Sequence, residues 1–504
     1  MKIIDCHVHP RPSVDYAGEF ERFIRHMRNH GIGAAVASDL GDGWKAYPDA
    51  ETVSQANARL QKMCGKYSGE VFYLVYINPQ LENWREELLR HENSACGVKL
   101  WISLRSMSDK SDLANSVKVI QAAAERNLPV LIHCFEQTGG AAAGSVGIDE
   151  MIYFAQKVPA STLIAAHSNG NWRKLIDKAD RVPENIFFDV SGCYPERTMV
   201  RRLVDRFGSE RILYGSDAPG RGFASQLYKV FSAGLAEFEL NNILYENSRR
   251  IFHLPDLQYV PAKKLPRYPL PANNEDNFCF AGKSVYWDHT VSAGELSALG
   301  AKHSVTKLYA ASLSAIKSKD FYTANLRWLQ ETLPYKNIQP LAVVDLPDKE
   351  QTLRQLKNLS GFAGVWVSPY LHNWRLGDRS FEWFWLECLD QQIKVWINCA
   401  LSDDRFRHEN LQTSVVLNDE IMAFAGFAPP NKYVLQGTAN LADLSVKLPE
   451  YFNLEYSRLS DGEYSAEEFF SGKTTCGCAG RLCRGSEYPF REFDEVDTVL
   501  NGDI

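Results

Sequence analysis

The alternation of short apolar runs with amphipathic helical stretches over residues 1–253 most constrains the fold. Eight runs rich in β-branched and aromatic residues are predicted strands, and a helix-like stretch follows each of them. These runs are Lys2–His9, Ala34–Asp39, Val71–Ile77, Gly97–Ser103, Pro129–Cys134, Thr162–Ser168, Ile186–Ser191 and Ile212–Asp217. Eight strand–helix units in about 250 residues predict a (β/α)8 TIM barrel, whose active site lies at the C-terminal ends of the strands.

The remainder of the chain is predicted to contain a linker and a second domain. Residues 254–276 carry five prolines and show neither helical nor strand periodicity, which is typical of a semi-extended linker. Residues 277–504 then repeat first-half motifs in the same order. ANAR at 56–59 is echoed by ANLR at 324–327, GVK at 97–99 by GVW at 364–366, VLIHC at 130–134 by VWINC at 395–399, and RILYGSDAP at 211–219 by RLCRGSEYP at 481–489.

This repeat favours an internal duplication over chance similarity between two arrays of strands and helices. The second copy ends fifteen residues after Pro489, which is too short for the closing segment that residues 223–252 supply in the first copy. We therefore expect a second, degenerate and incomplete barrel-like domain.

Composition excludes several classes of function. The net charge is −7, so no basic field is available to hold a nucleic acid. We find no apolar run near the ~18 residues of a membrane helix, and the N-terminus lacks the pattern of a signal peptide. The 11 cysteines form an odd set spread along the chain, which indicates reduced thiols and a cytoplasmic location.

Five polar residues stand at the ends of predicted strands. They are His7 and His9 on strand one, His133 on strand five, His167 on strand six and Asp217 on strand eight. An isolated His-x-His pair is more often structural than functional. Five such residues converging on one barrel mouth, where an apolar layer would need Val, Ile or Leu, instead predict a site for one transition-metal ion.

At these positions the chain resembles the amidohydrolase superfamily, in the branch that includes aminocarboxymuconate-semialdehyde decarboxylase. The resemblance rests on IDCHVHP at the start, PVLIHC around His133, LIAAHSNG around His167, ERILYGSDAPG around Asp217 and the closing ILYENSRRIF, and it covers residues 1–253. It implies that His7, His9, His133 and Asp217 hold one divalent metal, with Zn²⁺ first and Mn²⁺ or Fe²⁺ as alternatives. It also implies that His167 contacts the substrate and the metal-bound water.

Three cationic residues are candidates for substrate binding. Lys99, in GVKLW on strand four, is a carboxylated bridge between two metals, a lysine that lies below the mouth, or a point charge for an anionic group, and the resemblance to the mononuclear branch disfavours the bridge. Arg105 after strand four and Arg221 in GSDAPGRG are each a carboxylate clamp or a solvated loop residue.

Two further motifs receive no catalytic assignment. The Gly-rich residues 139–144 lack the lysine and spacing of a phosphate loop and are interpreted as a lid. Cys476, Cys478 and Cys483 lack a fourth ligand nearby, so no zinc site is assigned to them.

The second copy lacks the histidines of the first. The repeat places Phe280, Gly282, Asn398, Gly437 and Glu487 opposite His7, His9, His133, His167 and Asp217. We therefore expect a non-catalytic second half that forms an internal pseudo-dimer with the first, and we leave homo-oligomer formation open.

The expected function is that of a metal-dependent hydrolase. A metal-activated water would attack a C–O or C–N bond of a small molecule, with Asp217 as the base and His167 stabilising the oxyanion. The alternative is a non-oxidative, metal-dependent decarboxylase of a small carboxylic acid, and the sequence does not decide between them. A scaffold protein without catalytic activity is disfavoured by the five intact residues.

Overall fold

The first half of the chain contains eight parallel strands, each paired with the next along the chain. In the computed structural model they span Ile4–Val8, Ala34–Ala37, Val71–Ile77, Gly97–Leu100, Val130–Ile132, Leu163–Ala165, Ile186–Asp189 and Ile212–Leu213. The first and last strands also meet, since the Cys6 N–H donates to the Tyr214 carbonyl at 2.9 Å and the His9 N–H to the Ala218 carbonyl at 2.9 Å. The sheet is therefore closed, and the predicted barrel is confirmed.

Most helices of the first unit bury an apolar side, whereas Glu237–Asn241 has no buried residue. The first, Tyr16–Asn29, buries Phe20, Phe23, Ile24 and Met27. The others are Ala50–Lys66, Trp84–His91, Ser111–Ala124, Ile148–Lys157, Trp172–Asp177, Met199–Phe207, Phe223–Phe231, Glu237–Asn241 and Asn247–Ile251. Short 3-10 turns lie at Ala166–Asn169, Ala179–Arg181 and Ser209–Arg211, a π-helix at Asn242–Glu246, and a hairpin of Glu136–Gln137 with Gly140–Ala141 follows strand five.

The structure describes the whole chain except 44–47, 102–110, 142–144, 194–195, 264–267, 269–273, 285, 287–288, 402–404, 406–413, 439–440, 462–465, 468, 470–480 and 502–504. Residues 1–265 and 266–501 form two compact units. Residues 254–263, assigned to the linker from sequence, pack on the first unit: Leu254 and Leu257 are buried, and Asp256 accepts hydrogen bonds from Lys2 and Tyr245. Among the described residues, no helix combines the length and apolar character that crossing a membrane requires.

The second unit also has eight parallel strands. They span Glu275–Lys283, Lys307–Ser312, Ile338–Val343, Gly364–Val367, Val395–Asn398, Tyr433–Gln436, Phe452–Glu455 and Leu482–Cys483, and Thr290–Val291 adds a ninth, antiparallel strand at the edge. Backbone bonds from Asn277 to Arg484 and from Phe280 to Tyr488, both 2.8 Å, join the first strand to the segment of the last. The second unit is thus a barrel-like domain, as predicted, and its sheet is not interrupted.

The second unit is shorter than the first after its last strand. Its helices are Ala293–Lys302, Phe321–Thr332, Lys349–Leu356, Glu382–Asp390, Asn418–Ala425, Leu441–Lys447 and Glu495–Asn501, with 3-10 turns at Arg379–Phe381 and Ser457–Ser460. In the described part of the chain, one helix follows its last strand, where the first unit has Phe223–Phe231, Glu237–Asn241 and Asn247–Ile251. The described strands of the second unit form one sheet, and the incompleteness expected from sequence stays a prediction.

The echoed ANAR and ANLR motifs perform the same structural task in both units. The Asn57 side chain donates to the Tyr76 carbonyl at 2.9 Å and accepts from the Tyr76 N–H at 2.8 Å. Asn325 makes the same two bonds to Val343, at 2.7 and 3.0 Å. Each asparagine ties a helix to the neighbouring strand, which supports the duplication inferred from sequence.

Candidate metal centre

Two imidazoles from strand one face each other at the mouth of the first barrel. The Nε2 atoms of His7 and His9 lie 3.0 Å apart, and both side chains are buried. Two nitrogens bound at about 2.0–2.1 Å to a tetrahedral Zn²⁺ would lie about 3.3 Å apart, so the observed separation suits a shared ion.

The outer nitrogens of both imidazoles are hydrogen-bonded, which determines where their hydrogens lie. His7 Nδ1 lies 3.0 Å from a carboxylate oxygen of Asp189, and His9 Nδ1 lies 2.9 Å from the carbonyl oxygen of Ser38. Both oxygens only accept, so each Nδ1 carries the hydrogen. The two Nε2 lone pairs therefore point at one another, an arrangement that a bound cation stabilises.

Asp217 completes a group of three ligands. It lies four residues beyond the last strand, with a left-handed φ of 68°, and its Oδ1 is 3.7 Å from His9 Nε2. Ligand atoms of His7, His9 and Asp217 lie within 4.8 Å of one another. The Asp217 side chain is 24% exposed, so this carboxylate can exchange protons with solvent while the histidines cannot.

His133 and His167 form a second pair beside the first. His167 Nε2 lies 3.1 Å from His133 Nδ1, and the His7 and His167 rings are 4.9 Å apart at their centroids. The structure thus brings all five predicted residues together, but it places His133 against His167 and outside the His7, His9 and Asp217 group. The predicted role of His133 as a metal ligand stays a prediction.

The turn that carries His167 has an unusual backbone. His167, Ser168 and Asn169 all have positive φ values, of 60°, 46° and 74°. Such residues cost energy unless their surroundings hold them. Asp189 does so: it accepts from the His167 N–H at 3.2 Å, and its carbonyl accepts from the Ser168 hydroxyl at 2.6 Å.

Lys99 reaches the same group of side chains. Its side chain is fully buried, and Nζ lies 2.9 Å from His7 Nε2. Burial lowers the pKa of Lys99 to about 8, while the charges of Asp189 and Asp217 act in the opposite direction. The sequence left open how deep in the barrel Lys99 lies. The structure places its ammonium at the level of the candidate ligands.

Burial keeps His7, His9 and His167 neutral. It lowers the pKa of His9 to about 3 and those of His7 and His167 well below the ordinary value, and the charge of Lys99 adds to the effect for His7 and His9. Neutral imidazoles are the form that binds metals.

A comparison with protein-family models assigns the family. The model described as amidohydrolase matches residues 4–254. This segment belongs to the amidohydrolase family. A comparison with curated proteins gives no significant match.

Several solved structures are similar to half of the chain at low sequence identity. They include 2,6-dihydroxybenzoate decarboxylase from Rhizobium, 17% identical over 50% of this chain and 99% of that one with a TM-score of 0.39. A dihydroxybenzoic acid decarboxylase from Polaromonas with bound manganese is 17% identical over 50% and 97%, with a TM-score of 0.38. A 5-carboxyvanillate decarboxylase from Novosphingobium aromaticivorans, also with manganese, is 15% identical over 50% and 96%, with a TM-score of 0.41.

Three residues that support the amidohydrolase site were not identified from sequence. Asp189 and Ser191 at the end of strand seven bind His7 and His167, and Ser38 at the end of strand two binds His9. Their one sequence signal is position, because each is a polar residue at the C-terminal end of a predicted strand.

Arg221, the described one of the two loop arginines, contacts backbone carbonyls. Arg221 donates to the carbonyls of Gly192 at 3.2 Å and Gly220 at 3.3 Å, which fastens its loop to the end of strand seven. Arg105 lies outside the described residues, as do residues 142–144 of the Gly-rich segment and Cys476 and Cys478. Substrate contacts of Arg105 and Arg221 stay predictions.

The second unit has a different set of residues at the matching positions. Glu487 N–H donates to the Phe278 carbonyl, as Asp217 N–H does to His7, so Phe278 and Phe280 stand where His7 and His9 do. The sequence repeat, which placed Phe280 and Gly282 there, was wrong by two residues. It misplaced them because no motif marks the strand that begins at Glu275.

Ion pairs occupy the position of the metal ligands in the second unit. Glu487, the counterpart of Asp217, is buried and its Oε1 lies 3.0 Å from Arg458 Nη2, with Arg491 4.0 Å from the other oxygen. Asn398, the counterpart of His133, accepts a hydrogen bond from the Tyr370 hydroxyl at 3.0 Å. In the second unit, guanidinium groups thus face Glu487. In the first unit, the corresponding carboxylate, Asp217, is a candidate metal ligand.

Substitutions in the second unit are therefore expected to spare turnover. Glu487→Gln should lower the free energy of unfolding by about 1–3 kcal/mol, because it weakens a buried charge-assisted bond. Neither Glu487→Gln nor Asn398→Ala should change the rate of the chemical step, which steady-state kinetics checks alongside thermal unfolding. A loss of turnover in folded Glu487→Gln protein would reveal a second active site.

Proposed function

We propose that the amidohydrolase unit is a metal-dependent enzyme that releases carbon dioxide from a small carboxylic acid without oxidation. The observation that carries the proposal is the buried ammonium of Lys99, 2.9 Å from His7 Nε2. The proposal rests on the side chains of this site and not on the fold likeness.

Charge balance favours an anionic substrate. A divalent ion and Lys99 together carry three positive charges, whereas Asp189 and Asp217 carry two negative ones. Burial raises the pKa of Asp5, the carboxyl on strand one, to about 7, so it is largely protonated below that pH. A substrate carboxylate supplies the missing negative charge, and buried charges require such partners.

The residues of the chain divide the chemistry among them. A bound divalent metal would polarise a substrate oxygen as a Lewis acid. Because Lys99 and a metal cannot share the His7 Nε2 lone pair, a metal held by His7 would leave the Lys99 ammonium available to the substrate carboxylate. The bond from carbon to the carboxylate would then break, carbon dioxide would leave, and the electron pair left on carbon would take a proton that the partly exposed Asp217 carboxylate has first accepted from solvent.

Hydrolysis of a C–O or C–N bond is the second candidate. The partly exposed Asp217 carboxylate beside His9 favours it, because this group can accept a proton from water and pass it to a leaving group. We propose Zn²⁺ as the ion, since imidazole and carboxylate ligands suit it, with Mn²⁺ and Fe²⁺ as alternatives.

A substrate panel tests the proposal. The full chain, loaded separately with Zn²⁺, Mn²⁺ or Fe²⁺, is incubated with aromatic carboxylates, lactones and amides while carbon dioxide and hydrolysis products are recorded. Metal-dependent carbon dioxide release that a chelator abolishes is expected. Turnover confined to lactones or amides would instead establish the hydrolase, and failure of every metal to support turnover of the panel would contradict the proposal.

A Lys99→Met variant tests the role of the ammonium. We expect its KM for a carboxylate substrate to rise at least about tenfold, because a charge-assisted hydrogen bond contributes roughly 1.5–3 kcal/mol. Lys394→Met, which removes a half-buried lysine of the second unit, is the matched control. Metal analysis separates the roles of Lys99: about one ion per chain fits a free ammonium, and close to two would support a carboxylated, bridging lysine.

A further inference from the structure

The hydroxyl of Ser191 lies between two imidazoles of the amidohydrolase site. Its Oγ is 3.0 Å from His7 Nδ1 and 2.9 Å from His167 Nδ1, and the residue is fully buried. His7, His167 and Asp189 could hold a metal by the spacing of their ligand atoms alone. Ser191 Oγ lies at hydrogen-bond distance from both Nδ1 atoms. We therefore interpret this group as a set of hydrogen bonds and not as a second metal site.

The direction of these hydrogen bonds follows from Asp189. His7 Nδ1 faces a carboxylate oxygen at 3.0 Å and therefore carries its hydrogen. The Ser191 hydroxyl cannot donate to that nitrogen, so His167 Nδ1 is the acceptor left among its described partners. The alternative, with the hydrogen on His167 Nδ1, leaves a buried hydroxyl hydrogen without an acceptor, which is costly.

We propose that Ser191 is a positioning residue that fixes His167 as the Nε2–H tautomer. A neutral imidazole carries one hydrogen, so a His167 that accepts at Nδ1 must donate at Nε2. That N–H points to His133 Nδ1, 3.1 Å away. His167 is thereby a hydrogen-bond donor at the mouth of the barrel, suited to a substrate oxygen and unsuited to act as a base. The inference deepens the proposed function and rests on it for the identity of the substrate only.

A serine of the second unit provides a comparison between the positioning role and a purely structural role. Ser457 matches Ser191: its N–H and hydroxyl both bind Glu455, which also accepts from the Gly437 N–H at 3.2 Å, as Asp189 does from His167. The carboxylate and serine thus support the turn in both units. Among the described residues, the serine hydroxyl contacts imidazoles in the first unit only, since Phe278 and Gly437 replace His7 and His167.

The test is nitrogen NMR of the full chain loaded with Zn²⁺ and labelled with ¹⁵N-histidine, in which a His167→Gln variant assigns the His167 signals. The wild type should show His167 with its hydrogen on Nε2. Ser191→Ala should shift His167 towards the Nδ1–H tautomer, lower kcat about 10–100-fold with little change in KM, and keep about one zinc per chain. Ser457→Ala should leave both the tautomer and kcat unchanged.

Three outcomes would overturn the inference: a wild-type His167 with its hydrogen on Nδ1, an unchanged tautomer in Ser191→Ala, or the same tautomer shift in Ser457→Ala. Ser191→Cys, which keeps a weak donor, should give an intermediate tautomer population if Ser191→Ala fails to fold. The tautomer is measured without substrate. Failure of the proposed reaction would therefore leave this test intact, and failure of the test would leave the metal-dependent reaction intact.

Discussion

A His9→Ala variant is expected to lose its metal and its turnover. His9 Nε2 faces His7 Nε2 at 3.0 Å, and its Nδ1 is bonded to Ser38, so removing the ring leaves one imidazole and Asp217 to hold the ion. Loss of even an outer partner of a ligand costs about 10–100-fold in metal affinity, and loss of a ligand itself should cost more. Elemental analysis after desalting and kcat with added Zn²⁺ measure the effect.

His372→Ala provides the matched control. His372 is also a buried histidine bonded to a backbone carbonyl, that of Ile316, but it lies in the second unit. This variant should keep about one ion per chain and near wild-type turnover. Full metal content in His9→Ala, or equal metal loss in both variants, would refute the assignment of the His7, His9 and Asp217 group.

The position of the site could be predicted from sequence because the barrel itself determines it. In a closed parallel barrel the C-terminal strand ends meet at one mouth, so five polar residues at four such ends must come close together. His7, His133, His167 and Asp217 lie in a strand or within four residues of its end in the structure. Correct identification of the strands was therefore sufficient to predict that these residues lie close together.

The hydrogen bonds around the ligands could not be predicted in the same way. Asp189 binds His7 through one oxygen and the His167 backbone through the other, and these contacts join strands one, six and seven. No spacing in the sequence encodes such a contact, because it depends on side-chain direction across three strands. The depth of Lys99 was left open for the same reason.

The register of the second barrel was mispredicted for a related reason. Phe278 is opposite His7 because its carbonyl accepts from Glu487, so pairing between the first and last strands sets the register. The repeat has no motif on the strand Glu275–Lys283. Its alignment there could only be extrapolated from motifs later in the chain. The internal pseudo-dimer stays a prediction, because it concerns how the two units are arranged. The cytoplasmic location also stays a prediction, because it concerns the cell and not the fold.

Asp217→Asn is expected to abolish turnover while keeping the fold. Asp217 adopts a φ of 68°, and asparagine tolerates the left-handed region as readily as aspartate does, so the backbone should not change. The amide oxygen can still approach a metal, but the side chain can neither donate nor accept the proton that both candidate reactions require. Proton transfer by a positioned group contributes about 10²–10⁴-fold, and kcat should fall by that amount.

Metal content distinguishes the two roles of Asp217. A variant that retains most of its zinc and loses turnover identifies Asp217 as the proton-transfer group, whereas parallel loss of both would make it chiefly a ligand. Circular dichroism and thermal unfolding verify the fold in either case. Turnover within tenfold of wild type in the metal-loaded variant would contradict the assignment. Proton transfer would then have to come from another group, and Asp217 would serve only in the His7, His9 and Asp217 group.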